Sequence, residues 1–97
     1  MPENTRRVQL QRTRGYRKPA GAVVVTRASK YWGNPFKVEV YGRDRAIELY
    51  REHLRRSPEL VARIRRELAG RDLACFCTLD EACHADILLR VAAGGEP

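Results

Sequence analysis

The apolar positions change their spacing several times along the 97-residue chain, and each change marks an element. Residues 7–11 alternate, with Val8 and Leu10 on one face, which predicts a half-exposed strand. Residues 13–21 hold glycine, proline and cations and read as a loop. Residues 22–27 are a continuous run of mostly β-branched apolar side chains, the pattern of a strand buried on both faces. After a second loop, 28–36, the alternation of Val38 and Val40 predicts a short edge strand over 37–41.

From Asp44 the period becomes helical: Ile47, Tyr50 and Leu54 share a stripe that Ala46 and Leu49 flank. Ser57-Pro58-Glu59 is a helix start, with serine as the cap and proline at the first position. Leu60, Val61, Ile64 and Leu68 form its apolar stripe, and Gly70 stands where a left-handed stop is expected. Residues 72–77, continuously apolar after Asp72, predict a central strand. Residues 82–93 predict a helix that buries Ile87, Leu88 and Val91, capped by Thr78 or Asp80, and Gly94-Gly95 ends it.

The expected order is therefore β-β-β-α-α-β-α, in a single domain over 1–97 with flexible tails at 1–5 and 94–97. Two apolar strands separated by helices are the pattern of a crossover between parallel neighbours. The fold class expected is α/β, a small Rossmann-like domain with a mostly parallel sheet. Ligands of such sheets bind beyond the carboxyl ends of the strands. The loops after 22–27 and 72–77 are then expected at one common edge.

Charge adds a second asymmetry. The net charge is +7, but residues 1–37 carry nine Lys/Arg against one acid, whereas residues 38–97 carry ten Arg against eleven acids. A basic N-terminal third suits a polyanionic partner, nucleotide or nucleic acid; its plainer reading is a solvated basic face. No apolar run approaches the about 20 residues of a membrane span, and the N-terminus lacks the apolar stretch of a secretory signal. The expected setting is cytoplasmic, without a membrane partner. Three cysteines, an odd number, argue for free thiols or metal ligands over a disulfide scaffold.

All three fall in "DLACFCTLDEACHADILL". Cys75 and Cys77, two apart on a strand, face the same way, and Cys83-His84 opens the next helix. Three readings stand side by side. Cys75, Cys77, Cys83 and His84 could close a tetrahedral zinc site, although adjacent helical residues diverge by about 100°. Cys83, at a helix N-terminus beside His84, could be an activated nucleophile, with Cys75 as the other candidate and His84 or Asp86 as acid/base partner. Cys75 and Cys77 could also be small apolar residues in a buried strand.

The facing loop, "ASKYWGNPF", mixes aromatic and cationic residues as a base and its phosphates require. Arg27, Ser29, Lys30, Trp32, Gly33 and Asn34 are its candidate ligand residues, while Trp32 and Phe36 could equally plug the core. In "RTRGYRKP", Arg12, Arg14, Arg17 and Lys18 are candidate phosphate contacts or a solvated loop. His53 receives no role.

Trp-Gly-Asn-Pro-Phe at 32–36 and Cys-x-Cys-x5-Cys-His-Ala-Asp at 75–86 resemble the family called domain of unknown function 4326, found in bacteriophages and actinobacteria. The likeness spans about residues 6–92 and supplies no activity. Tyr31 is an apparent insertion between Ser29-Lys30 and Trp32, a departure that bears on the geometry of Lys30. Residues 72–92 are also similar to a second family, domain of unknown function 488. That similarity implies a Rossmann-like sheet whose Cys-His helix start faces the ligand edge, and the acidic residue that family has in place of Cys77 speaks against Cys77 as an obligatory zinc ligand. The leading expectation is a domain that binds a nucleotide or nucleic-acid phosphate with no resident cofactor. The rival is a Cys3His zinc-stabilised module that docks on a host protein.

Overall fold

A computed structural model describes residues 5–11, 15–17, 21–26, 29 and 31–97. Three short strands, β1 (Arg7–Gln9), β2 (Val23–Val24) and β3 (Leu73–Cys75), form one sheet in the order β1-β3-β2. Both pairings are parallel, with Arg7 and Val23 each opposite Leu73. The helices are α1 (Val38–Tyr41), α2 (Arg43–Arg55), α3 (Pro58–Glu67) and α4 (His84–Ala92). The fold is thus a small α/β domain, and its observed order is β-β-α-α-α-β-α.

Packing follows the stripes. Tyr50 and Leu54 of α2, Ile64 of α3 with Leu68 just beyond it, and Leu88 and Val91 of α4 are buried against Leu73 and Val25. Burying each such side chain contributes about 1.5–3 kcal/mol. The central position of 72–77 is as expected, since β3 alone among the described strands has a neighbour on each side. Gly70 takes its positive φ of 75° where the helical period stops.

Four expectations change. Residues 38–41 are one helical turn, not a strand. Asn34 Oδ1 accepts from Phe36 N–H at 2.9 Å, and the Lys37 carbonyl accepts from Val40 and Tyr41. Gly42, at φ 82°, then closes the turn by donating to the Val38 carbonyl. A five-residue alternation cannot tell one turn from a strand when no neighbouring edge is there to pair with. β2 is an edge rather than a strand buried on both faces: Val25 is fully buried while Val24 is 37% exposed. A continuous apolar run reports hydrophobicity, not how many neighbours a strand has.

The cap of α4 is neither Thr78 nor Asp80. It is Cys83, whose sulfur accepts from Ala85 N–H at 3.5 Å while Asp86 Oδ2 accepts from Cys83 N–H at 3.1 Å. Thr78 instead spends its hydroxyl on Glu81 at 2.7 Å. Ser57 caps α3 by position but makes no side-chain cap bond.

Residues 94–97, expected as a tail, fold back. Arg65 Nη2 donates to the Gly95 carbonyl at 3.0 Å, Arg55 Nε donates to the Pro97 carbonyl at 3.2 Å, and Pro97 is buried. Among the described residues no helix is long and apolar enough to cross a membrane.

Candidate functional site

β3 delivers Cys75 at its last residue, and the alternation of burial continues through the bend that follows. Cys75 is buried, Phe76 is exposed on the opposite face, and Cys77 is half-buried. The chain then turns through 78–82 and returns at Cys83. The three sulfurs lie within 4.8 Å of one another, with Cys75 and Cys83 at 3.3 Å.

His84 stands beside Cys83, outside the three-sulfur group. Its Nε2 lies 2.5 Å from the Val25 carbonyl, and its Nδ1 is 3.6 Å from Cys83 Sγ. A carbonyl only accepts, so Nε2 carries a hydrogen, and Nδ1 is the ring atom turned toward Cys83. The Tyr50 ring packs edge-on against the imidazole at 5.5 Å. Two helical neighbours would diverge, but Cys83 is extended (φ −145°, ψ 150°), so the helical angle does not govern this pair.

The thiols are electrostatically unequal. Cys83 is held well below the usual thiol range by the hydrogen bond from Cys75, helped by the His84 imidazole and the Ala85 amide and opposed by burial. Cys75 is pushed up, first because it supplies that proton and then by burial. Burial also raises Cys77, against the pull of Arg43. Cys75 and Cys83 thus share a hydrogen bond at 3.3 Å, with the negative charge favoured on Cys83.

Two arginines that attracted no attention in the sequence hold this loop. Arg43 donates to the Ala82 carbonyl at 2.8 Å and to Cys77 Sγ at 3.5 Å, and pairs with Glu81 at 3.2 Å. Arg7, its side chain only 7% exposed, donates to the carbonyls of Thr78 (3.0 Å) and Leu79 (2.8 Å) and pairs with Asp86 (3.2 Å). Neither is legible in the sequence, because Arg43 lies 34 positions from Cys77 and Arg7 lies 79 from Asp86. The Val25 carbonyl leaves no sequence signal at all.

A cleft of about 510 Å³ opens over the thiols at the carboxyl edge of β2 and β3. Thr26, Asn34 and Phe36 line it from one loop and the Cys/His cluster from the other, so the two loops do share an edge. Among the described residues lining it, Arg43 is the single cation.

The remaining candidates are placed as follows. Trp32 is buried; its N–H donates to Ser29 Oγ at 3.2 Å, and its carbonyl lies 3.5 Å from the Tyr50 hydroxyl. Asn34 is buried and spends its amide on the Ala46 carbonyl and on Phe36 N–H. Gly33 is half-buried, and Arg17 is exposed. Asp86 serves the Cys83 amide and Arg7. His53 packs its ring near Phe36 and Tyr50. Arg12, Arg14, Lys18, Arg27 and Lys30 lie outside the described residues.

No curated protein and no solved structure gives a significant match to the chain. A family match does: it runs over residues 8–94 and takes in β1 from Val8 onward, the WGNPF loop, the thiol cluster and all four helices. The chain belongs to the family described as Domain of unknown function (DUF4326).

Proposed function

We propose that the domain is a zinc-dependent binding module. A zinc ion is held by Cys75, Cys77, Cys83 and His84 Nδ1, and the adjoining cleft receives a ligand. The observation that carries this reading is the convergence of three sulfurs within 4.8 Å of one another. Around tetrahedral zinc, sulfurs stand about 3.8 Å apart and a sulfur and an imidazole nitrogen about 3.6 Å, given the usual bond lengths. The Cys83–His84 separation of 3.6 Å matches the second value. The bond from His84 Nε2 to the Val25 carbonyl is the outer support that zinc-bound histidines ordinarily have. Three thiolates and a neutral imidazole leave one net negative charge on the metal site, which the Arg43 guanidinium beside Cys77 offsets.

In this reading zinc displaces the protons of Cys75 and Cys77 and locks 75–84 into one rigid edge. The parallel strands, with the cleft at their carboxyl ends, are used in the Rossmann-like manner. Free thiols are maintained in a reducing compartment, so the proposal carries a cytoplasmic setting. The test is elemental analysis of protein purified without an affinity metal: about one zinc per chain is expected, with loss of metal in Cys77→Ala. A folded protein that is metal-free and takes up no zinc in competition titrations refutes it.

A second reading, a phosphate-bearing ligand such as a nucleotide in the cleft, is favoured by Arg43 on its wall. The excess of basic residues in the N-terminal third adds to it. A nucleotide or oligonucleotide that raises the melting temperature of wild type but not of Lys30→Ala or Arg43→Ala supports it. A panel without any shift removes it.

A further inference from the structure

We propose that Cys75 and Cys83 form a peroxide-reactive pair whose oxidation to a disulfide dismantles the metal site. The release of metal rests on the zinc reading above; the disulfide itself does not. The two sulfurs lie 3.3 Å apart, at contact, and come from separate elements, the end of β3 and the start of α4. A disulfide needs them at about 2.05 Å, an approach of about 1.2 Å. The 76–82 loop can supply that movement because neither cysteine lies inside a helix.

Cys77 is the poorer partner for either sulfur. It follows Cys75 by only two positions, just past the end of β3, and Arg43 Nη1 donates to its sulfur at 3.5 Å. The cleft reaches Cys75, Cys77 and Cys83, so an oxidant as small as hydrogen peroxide has a path to them.

The chemistry balances without another reagent. The Cys83 sulfur attacks one peroxide oxygen, the O–O bond breaks, and the departing oxygen leaves as hydroxide that picks up a proton to become water. The other oxygen stays on Cys83 as a sulfenic acid. The Cys75 sulfur then attacks the Cys83 sulfur and its S–O bond breaks. The hydroxyl leaves as water, taking the Cys75 hydrogen in the metal-free chain and a solvent proton where zinc has already displaced that hydrogen. Two thiols lose two electrons, and one peroxide becomes two waters. Only Cys77 and His84 would then remain as ligands, too few for a closed tetrahedral site.

The test uses the reduced, zinc-loaded full chain and hydrogen peroxide. Three readouts are followed: thiols titrated in denaturant, zinc captured by a chromophoric chelator, and the cross-link located by peptide mass mapping. The expected result is that thiols fall from three to one, one zinc is released per disulfide, and the Cys75–Cys83 link maps in wild type and in Cys77→Ser. A dithiol reductant restores both thiols and zinc binding. Cys77 in the cross-link, or progressive sulfinic and sulfonic acid on Cys83 without a disulfide, overturns the proposal. If the protein never binds zinc, the metal reading fails, yet the same Cys75–Cys83 link is still expected in the thiol count and the map.

Discussion

Cys83 serves the backbone and the site with one atom. Its sulfur accepts the Ala85 amide as a helix cap and lies in contact with Cys75 and close to His84. Serine is a better cap than cysteine but a poor zinc ligand, so Cys83→Ser separates the two roles. Without metal the variant is expected to melt at or above wild type. With zinc it is expected to bind at least tenfold more weakly, read by competition titration; equal zinc affinity would remove Cys83 from the ligand set.

Tyr50 supplies the pH dependence. Burial, with a smaller contribution from the Cys83 charge, pushes its phenol well above the ordinary value of 10.0. A raised acid stabilises the fold fully below its ordinary value, and that stability drains away as pH rises beyond it. Tyr50→Phe is thus expected to be less stable by up to about 1 kcal/mol at pH 7, having lost the long bond to the Trp32 carbonyl. The gap closes and reverses above about pH 10, as paired thermal melts would show. At this scale the cysteines were legible, because two-residue spacing on a strand fixes a common face. The Val25 carbonyl and Arg43 were not, because folding alone brings them near.

The loop between β3 and α4 has no regular structure, and its order comes from outside. Arg7 binds the Thr78 and Leu79 carbonyls and Asp86 together, a task for a fork of several donors. Arg7→Ala is expected to cost about 1–3 kcal/mol by chemical denaturation and to weaken zinc binding as the loop loosens. Arg7→Lys, with a single point of charge, should recover less than half of that loss; full recovery would show that charge alone suffices. The helices α2, α3 and α4 were readable from their 3.6-residue stripes. The Val38–Tyr41 turn was not, since Val40 faces solvent at 68% exposure and the alternation there reports no burial. The edge position of β2 was equally hidden, because strand order is decided by long-range pairing.

For the whole molecule, the proposed zinc would act as a stabilising ligand by mass action. At a thousandfold excess over its dissociation constant it would add about 4 kcal/mol, a melting shift of roughly 15–30 °C for a domain of this size. Calorimetry of chelator-treated against zinc-loaded protein measures this, and an unchanged melting temperature would make the metal dispensable to the fold. The parallel α/β plan and its shared loop edge were legible from two apolar runs flanking helices.

The last strand in the chain is the middle strand of the sheet, and every described strand pairing includes it. A nascent chain halted before Leu73 can coil its first three helices but has no partner for Arg7–Gln9 or Val23–Val24. Sheet formation therefore waits for the final quarter of the chain, which also brings every cysteine. On the ribosome, sheet closure and the arrival of the thiols become one late event.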